Sequence, residues 1–168
     1  MKKEENFVRI IELHRGIIYK IAHSYCKNEE DRKDLVQEIV IQLWRSIDTY
    51  NGVYQYSTWI YRIALNVAIS FYRKENKRTL GLAPFTESIL YLPEAPNTGE
   101  KEETLRLLQQ YISELKEFDK ALTLLYLEEK SYKEMAEIMG ISETNVATKI
   151  SRIKKKLGEY FLQQKTIL

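Results

Sequence analysis

The segment from Tyr56 to Lys74 gathers side chains suited to capturing unstacked nucleotide bases. Trp59, Tyr61 and Tyr72 offer aromatic faces, Arg62, Arg73 and Lys74 offer cations, and Asn66 offers an amide. An extruded base stacks on an aromatic ring while cations hold the phosphates. An amide presents a donor and an acceptor to a base edge. Extrusion opposes stacking worth on the order of a few kcal/mol, so the contacts must be comparable. Lys77 and Arg78 continue the run of cations beyond this segment. Trp59 suits a core anchor as well as a stacking platform. Taken alone, the segment also fits an ordinary amphipathic helix with surface tyrosines.

A second cluster lies near the other end. Residues 145–157 hold five Lys or Arg and no acid. Asn145, Thr148, Lys149 and Arg152 fall on one side of a helical period, with Ser142 as its cap and Lys155 and Lys156 behind. Polar residues at a helix N-terminus reach base edges in a major groove, and cations further along bind phosphates. A solvated basic αα-hairpin is the competing interpretation.

These side chains need helices to hold them. In the opening segment, Ile60, Ile63, Val67 and Phe71 recur at three- and four-residue spacing and predict a core-facing stripe. Ahead of it, Phe7 to Cys26 predicts a helix with Val8, Ile11, Ile17, Ile18, Ile21 and Ala22 inward, and Gly16 weakens its continuity. Asn28 predicts an N-cap, with Glu29, Glu30 and Asp31 favourable to the helix dipole. That helix carries Leu35, Ile39, Leu43 and Ile47 on one stripe, and Tyr50-Asn51-Gly52 predicts a turn after it.

In the rear block, Ser131-Tyr132-Lys133-Glu134 forms a capping box, and Ala136 and Gly140 suit the close approach and left-handed turn of a helix-turn-helix. Ile141 plugs the corner, and Val146, Ile150, Ile153 and Leu157 supply the second helix's core. The sequence has no convincing strand. All three prolines, Pro84, Pro93 and Pro96, fall between residues 80 and 100 and mark the one long non-helical stretch. The expected fold is all-α: two small helical domains at 1–78 and 102–168, joined by a flexible linker at 79–101.

Composition narrows the function classes. The chain has 168 residues, 44% hydrophobic and 30% charged, which permits a core and a solvated surface. Its net charge of +2 means that any basic site must be local. Basic against acidic residues number 14 to 10 in the front block, 1 to 3 in the linker and 11 to 11 in the rear. The single Cys26 excludes an intramolecular disulfide and a cysteine metal cage, and fits a reducing cytoplasm. No signal peptide is expected, and no apolar run approaches the roughly 20 residues that span a bilayer. His14 and His23 have no metal-ligand spacing, and no phosphate-binding glycine loop occurs. Neither an enzyme nor a cofactor is expected.

With these parts in order, the chain resembles the extracytoplasmic-function (ECF) sigma factors of bacterial RNA polymerase over nearly its whole length. Three motifs carry the resemblance. Asp34-Leu35-Val36-Gln37-Glu38-Ile39-Val40 is similar to the acidic helix by which sigma domain 2 grips the polymerase β′ clamp helices. Thr58-Trp59-Ile60-Tyr61-Arg62-Ile63-Ala64-Leu65-Asn66 through Arg73 resembles the promoter-melting helix. Ser131 to Leu157 resembles sigma domain 4, which reads the minus-35 element. One departure is Ser70, where the family usually has Asp.

The resemblance implies a domain 2 bundle of three or four helices at 1–78 that docks on core polymerase through Asp34, Gln37, Glu38, Gln42 and Trp44. Carboxylates and amides suit a basic, polar partner helix, and Trp44 suits an anchor. It implies minus-10 recognition and melting by Tyr54, Tyr56, Ser57, Trp59, Arg62, Asn66, Arg73 and Lys74. Minus-35 reading falls to Ser142, Asn145, Thr148, Lys149, Arg152, Lys155 and Lys156. Implied partners are core polymerase (β′ clamp helices and β flap), promoter DNA as duplex and melted strand, and an anti-sigma factor, often membrane-bound. The protein would act as a cytoplasmic monomer. The linker, with Glu87, Glu94 and Glu100, would thread near the polymerase active channel.

Two rivals stand beside this. A stand-alone helix-turn-helix regulator explains the rear block but leaves the Trp59-to-Arg73 constellation unused. A protein-binding adaptor predicts no DNA dependence.

Overall fold

The structure is a computed structural model that describes residues 1–78 and 99–167. The chain divides into two compact units whose boundary falls between Tyr91 and Leu92, outside the described residues. The three prolines, Glu87 and Glu94 lie outside them too.

The first unit holds α1 (Lys2–Tyr25), α2 (Glu29–Ser46), a single 3-10 turn (Ile47–Thr49) and α3 (Tyr56–Arg78). Each of the three helices packs on the other two. α1 runs unbroken through Gly16, where an added Cβ would meet nothing within 4 Å. The cost of glycine inside a helix, about 1 kcal/mol, is offset by the buried face. That face is Phe7, Ile10, Ile18, Ile21, Ala22 and Tyr25. Val8, expected inward, is 53% exposed, because Phe7 and Ile10 take the core positions of that turn.

Asn28 caps α2 as expected, its side-chain oxygen accepting from the Asp31 N–H at 2.7 Å. Leu35, Ile39 and Leu43 are fully buried. Burial of such side chains contributes about 1.5–3 kcal/mol each. Ile47 belongs to the 3-10 turn and is half-buried.

The core face of α3 differs from the expected stripe. Ile60, Tyr61, Ala64, Leu65, Ala68 and Ile69 are buried, whereas Ile63, Val67 and Phe71 are half-buried. Two adjacent rows per turn face the other helices, and small Ala64 and Ala68 allow close packing. The sequence periodicity followed the larger side chains and placed the stripe one row too far round. Tyr61 is therefore a core residue, not a surface aromatic.

The second unit holds α4 (Gly99–Glu114), α5 (Glu117–Leu127), α6 (Tyr132–Met139) and α7 (Glu143–Ile167). α4 begins before residue 102, with Glu100 and Glu102 in the first turn, where carboxylates suit the helix dipole. α7 packs against α4, α5 and α6. The Tyr111 hydroxyl of α4 donates to the Ile153 carbonyl of α7 at 3.0 Å, closing a buried polar contact. Among the described residues there is no strand, and no helix is long and apolar enough to cross a membrane.

Candidate nucleic-acid interface

The helix-turn-helix forms as its local chemistry dictates. Ser131 and Glu134 complete a capping box, the Ser131 N–H donating to Glu134 at 2.8 Å and the Glu134 N–H to the Ser131 Oγ at 3.1 Å. Gly140 ends α6 at φ +68°, the left-handed conformation that glycine adopts without a Cβ penalty. The Gly140 and Ile141 N–H groups both return to the Ala136 carbonyl. Ser142 then accepts from the Asn145 N–H at 3.1 Å and starts α7.

Val146, Ile150 and Ile153 are buried, so Asn145, Thr148, Arg152, Lys155 and Lys156 are left exposed. Lys149 is half-buried, with its ammonium 5.3 Å from the Phe118 ring centre. It covers apolar surface with its stem while keeping its charge at the edge. The Thr148 hydroxyl donates to the Thr144 carbonyl at 3.0 Å, so its remaining capacity is as an acceptor.

In the first unit, the loop between the 3-10 turn and α3 carries an aromatic cluster. Tyr50 stacks on Tyr56 with centroids 4.3 Å apart and lies 5.3 Å from Trp59. Tyr54, Tyr56, Ser57 and Trp59 are all half-buried. Trp59 belongs to this cluster rather than to the helix-packed core. Arg62, Asn66, Arg73 and Lys74 are exposed along α3. The side chains of Lys77 and Arg78 lie outside the described residues.

Asn66 and Lys74 also border a groove of about 440 Å³ between α2 and α3, with Val67, Phe71, Glu38 and Gln42. Two sets of candidates assigned to different tasks thus share one cleft. Ile63, Val67 and Phe71 stand half-exposed because they line it.

Asp34, Gln37, Glu38 and Gln42 are exposed on α2. Ile41, 48% exposed, lies among them, about two turns from Asp34. The sequence analysis did not single it out, although it falls outside the Leu35-Ile39-Leu43 spacing and, seven residues after Asp34, on the polar side of the helix. Trp44 sits at the border with α1: Phe7 meets it edge-on at 5.0 Å, and the Lys3 ammonium lies 4.9 Å from its ring centre. Lys3 also pairs with Asp48 at 2.6 Å.

Comparison with known proteins resolves the family. Residues 10–78 match the model of sigma-70 region 2, and residues 105–157 match that of sigma-70 region 4. The RNA polymerase sigma factor SigV of Bacillus subtilis is 30% identical over 161 residues, covering 92% of this chain and 93% of SigV. The chain belongs to the ECF RNA polymerase sigma factors. Another relative, the ECF sigma factor SigM of Bacillus subtilis, is 28% identical and covers 88% of this chain and 90% of SigM. The ECF sigma-E factor of Escherichia coli is 31% identical over 76% of this chain and 72% of its own length.

The fold of this sigma factor agrees with a solved one. The sigma factor RpoE of Bartonella quintana, solved with the anti-sigma factor NepR, superposes with a TM-score of 0.72 at 20% identity, covering 94% of this chain and 97% of RpoE. The sigma-70 family acts in transcription initiation and is not enzymatic. Among the described residues there is no cluster of metal-ligating side chains.

Proposed function

We propose that this ECF sigma factor binds core RNA polymerase and directs it to promoters through two spaced DNA elements. It helps melt the downstream element and starts transcription without acting as an enzyme. The observation that carries the reading is the pair of sigma-70 region matches in one chain, each falling on a unit with suitable chemistry. A stand-alone regulator would leave the first unit unused.

Residues 1–78 form the polymerase-binding and minus-10 module, 79–101 the tether and 102–168 the minus-35 module. Core polymerase docks on Asp34, Gln37, Glu38 and Gln42, with Ile41 giving that polar face an apolar centre and Trp44 its border. Clamp helices of β′ and the β flap are the surfaces it would meet.

The aromatic loop receives an extruded minus-10 base, Asn66 reads an edge, and Arg62, Arg73 and Lys74 follow phosphates. Asn145 and Arg152 meet base edges of duplex minus-35 DNA, Thr148 accepts, and Lys149, Lys155 and Lys156 hold the backbone. Ser142 fixes the start of that helix.

An anti-sigma factor is the expected inhibitor. The α2–α3 groove suits it, because one inserted segment there would meet polymerase-docking and DNA-contacting residues together. The protein works as a monomer in the cytoplasm, where polymerase and promoter DNA are.

In vitro transcription on a library of promoter fragments tests this, with core polymerase and with or without the protein. The expected result is protein-dependent initiation at sites sharing two spaced elements. Absence of both stimulation and polymerase co-purification overturns it.

A further inference from the structure

Tyr50 was read in the sequence only as part of a turn, yet its contacts reach across the 51–55 loop. Its backbone is anchored first: the Tyr50 N–H donates to the Ile47 carbonyl at 3.2 Å, closing the 3-10 turn. Its ring stacks on Tyr56, with an interplanar angle of 23°, and tilts against Trp59. Its hydroxyl donates to the Tyr54 carbonyl. One side chain thus ties the residue before the loop to the loop's far end and to the first turn of α3.

The rest of the loop has few restraints of its own. Gly52 takes φ +75°, and the Asn51 side chain accepts from the Val53 N–H at 3.1 Å. Asn51, Gly52, Val53 and Gln55 are exposed. Ordering such a backbone costs conformational entropy at each residue. A loop ordered only on contact with DNA would subtract that cost from the binding energy.

We propose that Tyr50 is a positioning residue that holds this loop in the shape that receives an extruded base. It acts through Tyr54 and Tyr56 and does not itself contact the base. The hydroxyl is the discriminating atom, since phenylalanine would keep the stack and lose the bond to Tyr54. The inference rests on the proposed role of this loop in opening promoter DNA.

The test compares Tyr50→Phe and Tyr50→Leu with the wild-type protein, full-length and assembled with core polymerase. The probes are a single-stranded oligonucleotide bearing the downstream element of a promoter found by the transcription assay, and a duplex bearing the upstream element. Losing one hydrogen bond of ordinary strength predicts roughly fivefold weaker single-strand binding for Tyr50→Phe. Tyr50→Leu, which also loses the stack, is expected to bind more weakly still.

Duplex binding by Tyr50→Phe should match wild type, and its thermal midpoint should fall by no more than the few degrees one such bond is worth. Its backbone amides at residues 51–55 should exchange faster than the same amides in wild type, while those of α1–α3 do not change. Unchanged single-strand binding by both variants overturns the inference. A Tyr50→Phe loss that is equal for single strand and duplex, and that tracks a lowered midpoint, overturns it too, since that is a purely structural effect. A wild-type holoenzyme that fails to bind the strand at all overturns the promoter-opening reading, and the inference with it.

Discussion

Under the proposed function, single side chains of α7 divide into those that specify and those that attach. Arg152 is exposed in the middle of the α7 basic face, whereas Lys156 lies a turn further from the helix N-terminus. Arg152→Ala should cost about 1–3 kcal/mol at the preferred upstream sequence and relax specificity there. Lys156→Ala should weaken binding evenly across sequences and lower the salt slope by about 1. A salt titration of duplex binding with matched and mismatched elements checks both.

Cys26 illustrates the opposite kind of residue. It is buried, and that burial, with Asp31 nearby adding to it, pushes the thiol from its ordinary 9.0 up to about 12. The native thiol is therefore protonated and unreactive at neutral pH. In the unfolded chain it ionises near pH 9 while the native thiol does not, so its contribution to stability is complete below pH 9 and falls as pH rises towards 12. Alkylation at pH 8 should be slow in the folded protein and fast in denaturant. Rapid labelling of folded protein would contradict the burial.

At the scale of elements, the helix-turn-helix depends on two local devices. Ser131→Ala removes the hydroxyl half of the capping box and should destabilise the second unit by about 1 kcal/mol. Gly140→Ala forces a Cβ into the left-handed region and should cost about 1–2 kcal/mol, although the site itself is open. Denaturant midpoints of the second unit's unfolding measure both. The first unit depends instead on helix packing. Ile39 is fully buried on α2, and Ile39→Ala should cost about 2–5 kcal/mol. That loss should carry away polymerase binding and single-strand binding together, because in the proposed function α2 supplies one face and, packed on α3, supports the other.

For the whole molecule, the proposed function would have two binding units in one chain add through effective concentration rather than through either affinity. Each unit can bind weakly, provided both elements lie within reach. Lengthening the chain between α3 and α4, within residues 79–98, with a flexible insert should reduce transcription gradually and leave each unit's own binding intact. An abrupt loss of single-strand or duplex binding would show that the units do not act independently.

The sequence by itself determined the elements whose causes are local. The Ser131 capping box, Gly140, the Asn28 cap and the Tyr50-Asn51-Gly52 turn are each decided within a few residues of chain, so their hydrogen bonds could be anticipated from residue types. The same holds for the all-helical class and for the polar and basic side of α7, where the apolar period is clean. Only the tertiary structure decided which rows of α1 and α3 face inward. Val8 and Phe7, or Ile63 and Tyr61, satisfy similar periods, and the choice between them depends on the shape of the neighbouring helix. It likewise decided that Ile41 stays exposed, that Asn66 shares a cleft with Glu38 and Gln42, and that Tyr50 reaches across its loop. Those juxtapositions arise where separate segments pack together, and spacing along one segment carries no record of them.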